Sequence, residues 1–136
     1  MPRVVAMHLH NNAGRPTNGD PLRCRAGETY PLEAGGAIEI GPIVAEIARA
    51  PENFEIAEVA LVDLAAQIQG RTKLNFHHIA SMSRRDARRP LLVARQADGG
   101  LLLIDGRHRA ARSKQLGYDT SEAWILTLEQ WADWRG

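Results

Sequence analysis

Cysteine occurs once in this 136-residue chain, at Cys24. One thiol builds no internal disulfide framework, which excludes the small disulfide-stapled secreted classes and suits a reducing cytosol. Long apolar runs are missing too. No stretch approaches the length of a membrane span, and the N-terminus lacks a basic segment followed by an apolar one, so no membrane partner is expected and the protein is expected to be cytoplasmic. Neither sign of charge is in excess. Seventeen Lys and Arg stand against sixteen Asp and Glu, a formal net charge of +1, which argues against a generally basic nucleic-acid coat. Any contact with nucleic acid would have to come from a local patch. Internal repeats and low-complexity segments are absent as well.

What is present suits one globular domain with an N-terminal extension: 44% of the residues are hydrophobic, enough for a modest core. Residues 1–53 read as the extension and 54–136 as the domain. Residues 2–9 have the composition of a short strand. Residues 10–36 read as loop, densely punctuated by Asn, Gly and Pro. A loop of that length packs on the domain as an arm or pairs with a partner, and a homodimer through it is one option. Residues 37–47 alternate in part (Ile38, Ile40, Ile43) and read as a strand interrupted at Gly41-Pro42. Phe54 to Leu61 alternates on a period near two, a half-buried strand. Val62 to Ile68 either continues it or starts a short helix. Asn75 to Arg88 reads as one helix with Asn75 or Thr72 as its cap and Phe76, Ile79, Ala80 and Ser83 inward, closed by Pro90. Leu91–Arg95 and Leu101–Ile104 flank Ala97-Asp98-Gly99-Gly100, a hairpin signal. A strand over residues 123–126 follows, then Thr127-Leu128-Glu129-Gln130 in capping-box form before a last short helix.

The richest stretch is Leu101 to Gly117. It reads as a buried strand that turns at Gly106 and becomes a helix ending at Gly117. Such a junction aims first-turn N–H groups and the positive end of a helix dipole at one spot, which suits an anion. Arg107, His108 and Arg109 add donors there, and Arg holds phosphate oxygens in a bidentate fork. The competing explanation is a local Asp105–Arg ion pair. However, the dipole disfavours first-turn cations that no anion offsets, and only Asp105 is at hand. A phosphate pocket is therefore expected, with Gly106 giving backbone access.

At these residues the chain resembles the ParB/sulfiredoxin superfamily, often labelled ParB-like nuclease domains. Asp105-Gly106-Arg107-His108-Arg109, followed by Gly117, is similar to that family's phosphate-binding box. Arg89-Pro90-Leu91-Leu92-Val93 is similar to the Pro-hydrophobic strand before it, and Ala123-Trp124-Ile125-Leu126 to the short closing strand. The resemblance covers residues 54–126. It implies a small mixed sheet with packed helices, binding of a nucleoside triphosphate with magnesium, and an activity drawn from a divergent set. That set includes sulfinic-acid repair with ATP, CTP hydrolysis in partition clamps, phosphorylation of free serine, and nuclease action. Arg107 stands where sulfiredoxins carry their catalytic Cys, so a sulfiredoxin is not expected. Gly106 replaces the first Arg of the partition proteins' box, and those proteins carry two further domains after it, so a stand-alone domain is expected rather than a partition clamp.

Other constellations compete with the box. Arg84-Arg85-Asp86-Ala87-Arg88-Arg89 is the densest positive charge. At helical spacing Arg84 shares a face with Arg88, and Arg85 with Arg89. The set suits a phosphate backbone, or else it is a solvated last turn that complements the helix dipole. His77 and His78 diverge on a helix and do not share a metal, while His8 and His10 would project from one strand face without further ligands nearby. No metal centre is therefore expected. His108 either touches phosphate, protonated, or bonds its own turn. Asp105 binds magnesium or acts as a base, or else caps the helix and pairs with Arg109. Glu55 and Glu58 lie where some kinase-like relatives of the resembling family place an acid. Trp124, Trp131 and Trp134 read as core.

The expectation is a small α/β (α+β) domain that binds nucleotide phosphates through Gly106, Arg107, His108 and Arg109. Asp105 and His108 are its candidate catalytic groups, for NTP hydrolysis or phosphoryl transfer. The alternatives are a DNA-binding or DNA-cleaving accessory protein of plasmid or phage type, using Arg84, Arg85, Arg88 and Arg89, and a degenerate domain that binds a protein partner.

Overall fold

A computed structural model describes residues 4–6, 28–32, 35–70 and 74–136. The fold is α+β. Its main sheet has five strands in the order β1 (Val4–Ala6), β4 (Glu55–Ala60), β7 (Thr120–Leu126), β5 (Leu91–Arg95), β6 (Leu101–Asp105), and a second, two-stranded sheet joins β2 (Thr29–Pro31) to β3 (Ala37–Glu39). Pairing in the main sheet is antiparallel except between β5 and β7, which run parallel with Leu91 opposite Ala123 and Ala94 opposite Leu126. A parallel pair cannot be joined by a tight turn. Here the crossover consists of β6 and helix α5 (Arg107–Gln115).

Residues 91–94 are buried without a break because alternate side chains enter two different cores. Leu92 and Ala94 join Ile56, Trp124, Leu126 and Ile104 under α1 (Ile40–Arg49), β3 and α6 (Leu128–Arg135). Leu91 and Val93 join Val59, Leu101, Leu103, Ala123 and Ile125 under α5 and α2 (Ala65–Gln69). The bulge between Leu92 and Val93 re-aims the β5–β6 pairing where β6 ends.

The structure corrects the sequence reading in several places. Residues 37–47 are not an interrupted strand: three residues pair with β2, and α1 follows. Ile40, Ile43, Val44 and Ile47 are spaced at helical period and all buried, and Pro42 is tolerated because first-turn N–H groups have no intrahelical partner. Residues 37–49 thus share a core with the segment after residue 53, and β1 belongs to the main sheet, so packing does not follow a division at 53. The loop expected over 10–36 contains β2, and the rest of it through residue 27 lies outside the described residues. The single helix expected over 75–88 is two: α3 (Phe76–Ser81) and α4 (Arg84–Ala87). Ser83, expected to face inward, instead caps α4 by accepting the Asp86 N–H at 3.1 Å, a local bond that competes with helix continuation. Phe76 is 65% exposed and Ala80 is exposed, leaving Ile79 as the buried anchor of α3. Asn75 does cap α3, and Thr127 and Gln130 form a complete capping box for α6. Trp124 and Trp131 are buried, with Trp134 packed against them.

Candidate functional site

The site begins in the hairpin. Asp98 accepts the Gly100 N–H and sets the turn from β5 into β6. Where β6 ends, Gly106 takes φ +106° and directs the chain into α5, whose first hydrogen bond runs from the Ala110 N–H to the Gly106 carbonyl. A Cβ at Gly106 would lie 2.7 Å from Leu91 Cδ2 and 2.9 Å from Arg109 Nη2. Glycine is required there by close approach as much as by φ.

Arg109 folds back from α5 across this junction. Its Nη2 donates to the Pro90 carbonyl at 3.1 Å and lies 3.7 Å from Asp105 Oδ2. Its Nε is buried and meets no acceptor among the described residues. The Asp105 side chain is 9% exposed, and its Oδ2 likewise forms no hydrogen bond among the described residues. Burial pushes the Asp105 carboxyl above its ordinary value; the nearby Arg109 charge offsets part of this, and Glu28 adds to it. Asp105 does pair with Arg109 across one helical turn, as one of the two readings had it.

Arg107 behaves differently. Its Nε donates to the Ile68 carbonyl at 2.7 Å and its Nη2 to the Gln69 carbonyl, so the guanidinium expected on phosphate caps the C-terminal end of α2. Gly70, at φ +63°, lets it approach, since a Cβ there would fall 2.6 Å from Arg107 Cζ. His108 accepts the Asn75 N–H at Nε2, 3.1 Å away, and meets the His78 ring edge-on at 5.6 Å. In this arrangement Nε2 is an acceptor, and it ties the first turn of α5 to the cap of α3.

Two clefts meet at this junction. The larger, about 1430 Å³, runs along β6 and the first turn of α5, with Gln67 and His78 on one side and β2 on the other. The smaller, about 320 Å³, is lined by His78, Ser81, Met82, Asp86, Arg89 and Arg109. His78, Met82 and Arg109 belong to both.

The arginine run divides between two places. Arg84 donates to the Tyr118 hydroxyl at 2.9 Å. Arg88 stacks 3.9 Å from the Tyr118 ring centre and donates to the Thr120 carbonyl. Arg84 and Arg88 share a face as inferred, both meeting Tyr118, whereas Arg89 lies beyond the α4 cap and turns to the smaller cleft without Arg85. Arg89 pairs with Asp86 at 3.2 Å and reaches the smaller cleft, while Arg85 is exposed on α4. Glu55 is held bidentately by Arg95, Glu58 sits opposite Glu122, and neither acid lines a cleft.

Sequence reasoning missed Gln67 and weighed His78 only as a metal ligand, because each meets its partner some thirty residues away. Among the described residues no group of three or more His, Cys, Asp or Glu converges on a metal position; His8 and His10 lie outside them. No described helix is long and apolar enough to cross a membrane. Comparison with protein-family models, with curated proteins and with solved structures finds no match to this chain.

Proposed function

We propose that this chain is a nucleotide-phosphate-binding domain of the kind its Asp105–Arg109 box resembles, with the phosphates at the start of α5 and the Arg109 guanidinium between the two clefts. The observation that carries the reading is Arg109 itself: a cation at the positive end of a nine-residue helix, with a buried Nε that meets no acceptor among the described residues. The Asp105 carboxylate at 3.7 Å offsets part of that charge, and the buried Nε still favours a further anion. Arg89 and His78 border the same space and supply further donors to a phosphate chain. The role of Arg107 shifts from phosphate ligand to positioning residue, because its guanidinium fixes the end of α2 against the cleft.

Magnesium fits as a companion of the nucleotide. Asp105 offers one carboxylate oxygen without a hydrogen-bond partner at the cleft, and magnesium is commonly held by one carboxylate together with substrate phosphates. It would neutralise phosphate charge and help orient the phosphate chain, for hydrolysis or phosphoryl transfer. The DNA reading draws less support, since Arg84 and Arg88 are committed to Tyr118 and to Thr120 at the start of β7.

Thermal shift with ATP, CTP, GTP, UTP and a short DNA duplex, each with magnesium, tests the proposal on wild type and Arg109→Ala. One nucleotide should raise Tm saturably, by the equivalent of about 2.7 kcal/mol at a hundred times its Kd, and the rise should vanish in the variant. A flat response to all four nucleotides overturns the reading. A salt-sensitive shift with DNA alone would move the function to nucleic-acid binding.

A further inference from the structure

β6 is the last strand of its sheet, so a row of its main-chain groups faces away from β5. Gln67 on α2 occupies two of them. Its Nε2 donates to the Leu101 carbonyl at 2.8 Å, and its Oε1 accepts the Leu103 N–H at 2.6 Å. One carboxamide thus spans the two groups that flank Leu102. A residue of a parallel neighbouring strand would make the same pair of bonds, its N–H to the first group and its C=O to the second. Gln67 therefore stands in for one residue of a sixth strand. Strand edges recruit other chains, and addition of an extended peptide to an edge is a recurring recognition mode.

The larger cleft lies along this edge, with Tyr30 and Leu32 on its far wall and the first turn of α5 at its end. Direction follows from the bonding pattern. A chain parallel to β6 runs towards Asp105, so its C-terminal end arrives at α5. From Leu102 to Gly106 is four residues, about 13 Å at strand rise, so the residue that replaces Gln67 would precede the end of the ligand by three or four positions. At that point lie the positive end of the helix dipole, the acceptor-free Nε of Arg109, and the buried Asp105 oxygen that forms no hydrogen bond. A carboxylate suits the first two.

We propose that the cleft takes the extended C-terminal end of a peptide, added parallel to β6 in place of the Gln67 carboxamide, with its terminal carboxylate at Arg109 and the start of α5. The inference does not rest on nucleotide binding, although both ligands would use the same anion pocket and exclude one another.

Fluorescence anisotropy tests it with two N-terminally labelled hexapeptides, Thr-Val-Thr-Val-Thr-Val as the free acid and as the C-terminal amide. The acid should bind saturably, and at least tenfold more tightly than the amide. Arg109→Ala should weaken the acid tenfold or more, and Gln67→Ala should tighten it several-fold because no side chain has to be displaced. In Gln67→Ala the Leu103 amide should exchange faster with solvent and be protected again by the acid peptide. Equal binding of acid and amide overturns the proposal. So does absence of binding to both wild type and a Gln67→Ala variant that circular dichroism shows to be folded. Self-association of Gln67→Ala without peptide binding would make the occupant a second copy, which also overturns it. A nucleotide shift that persists while the peptides fail removes this inference alone; peptide binding without any nucleotide shift removes only the nucleotide reading.

Discussion

Replacing Gly106 by alanine is the most direct probe of the strand–helix junction, because two separable costs meet there. The first is backbone strain: Gly106 holds φ +106°, which an L side chain rarely adopts, and such a residue costs about 1–3 kcal/mol. The second is overpacking. The added Cβ would meet Leu91 Cδ2 at 2.7 Å, and Leu91, on β5, is fully buried in the core it shares with Ala110 of α5, so it has little room to retreat. Inserting a methyl group into such a site costs about 1–3 kcal/mol. Together the expected loss is about 2–6 kcal/mol, a fall in Tm on the order of 10 °C for a domain of this size. Gly117→Ala supplies the internal control. Gly117 has φ +92°, but a Cβ there meets nothing within 4 Å, so that variant should show the strain cost alone, about 1–3 kcal/mol. Urea unfolding of the two variants beside wild type gives both free energies, with equal m-values as the check that the unfolded states are comparable. The Cβ also lies 2.9 Å from Arg109 Nη2, so ligand affinity should fall in Gly106→Ala and hold in Gly117→Ala. If the two substitutions cost the same and leave ligand binding equal, the close-packing argument for Gly106 is wrong.

Two further predictions concern the charged groups of the junction. Burial raises the Asp105 pKa, so the folded state holds that proton more tightly than the unfolded chain does; the stabilisation is complete below the ordinary carboxylate value of 3.8 and is lost as pH rises through the higher folded-state value. Asp105→Asn should therefore melt above wild type at neutral pH, with the difference closing as pH falls towards 3.8 in a series of thermal melts; a variant destabilised equally at every pH would refute the assignment. Arg107→Ala removes two charge-assisted bonds from the carbonyls of Ile68 and Gln69 and should cost about 1–3 kcal/mol in urea unfolding. It should still keep more of the nucleotide-induced shift than Arg109→Ala does, and Arg107→Lys should not restore stability because an ammonium cannot fork to two carbonyls in the same way. Equal loss of ligand response in Arg107→Ala and Arg109→Ala would put Arg107 back among the phosphate ligands.

The elements that sequence made legible are those whose signal is local. The β5–β6 hairpin, Asn75 as the α3 cap and the Thr127 capping box all depend on residues within about five positions of one another. Helix α1 carries an equally local signal, but Gly41-Pro42 has the look of a break although proline is compatible with a first turn. The split between α3 and α4 turned on Ser83, whose side chain serves a helix face or a cap equally well until the Asp86 N–H is in place.

The same distinction explains the arginines, and it bears on what the site can do. Six of them cluster in two short runs, and sequence assigned them by spacing alone. Their partners proved to be main-chain carbonyls and a tyrosine ring brought in from elsewhere: Ile68 and Gln69 for Arg107, Pro90 for Arg109, Thr120 and Tyr118 for Arg88. Carbonyl oxygens are the groups that helix and strand ends leave over, and nothing in a sequence marks which ends will come to rest beside a guanidinium. Arginines spent in this way fix the loops around the clefts, and their charge is lost to ligand only to the extent that geometry turns it away. Arg109 differs in having one face on Pro90 and a buried Nε turned to no acceptor among the described residues. A guanidinium divided between a structural bond and an unfilled donor is held in place before the anion arrives, so little side-chain ordering remains to be done on binding. Pre-organisation of this kind, rather than the density of positive charge along residues 84–89, is what favours the α5 terminus as the proposed anion site.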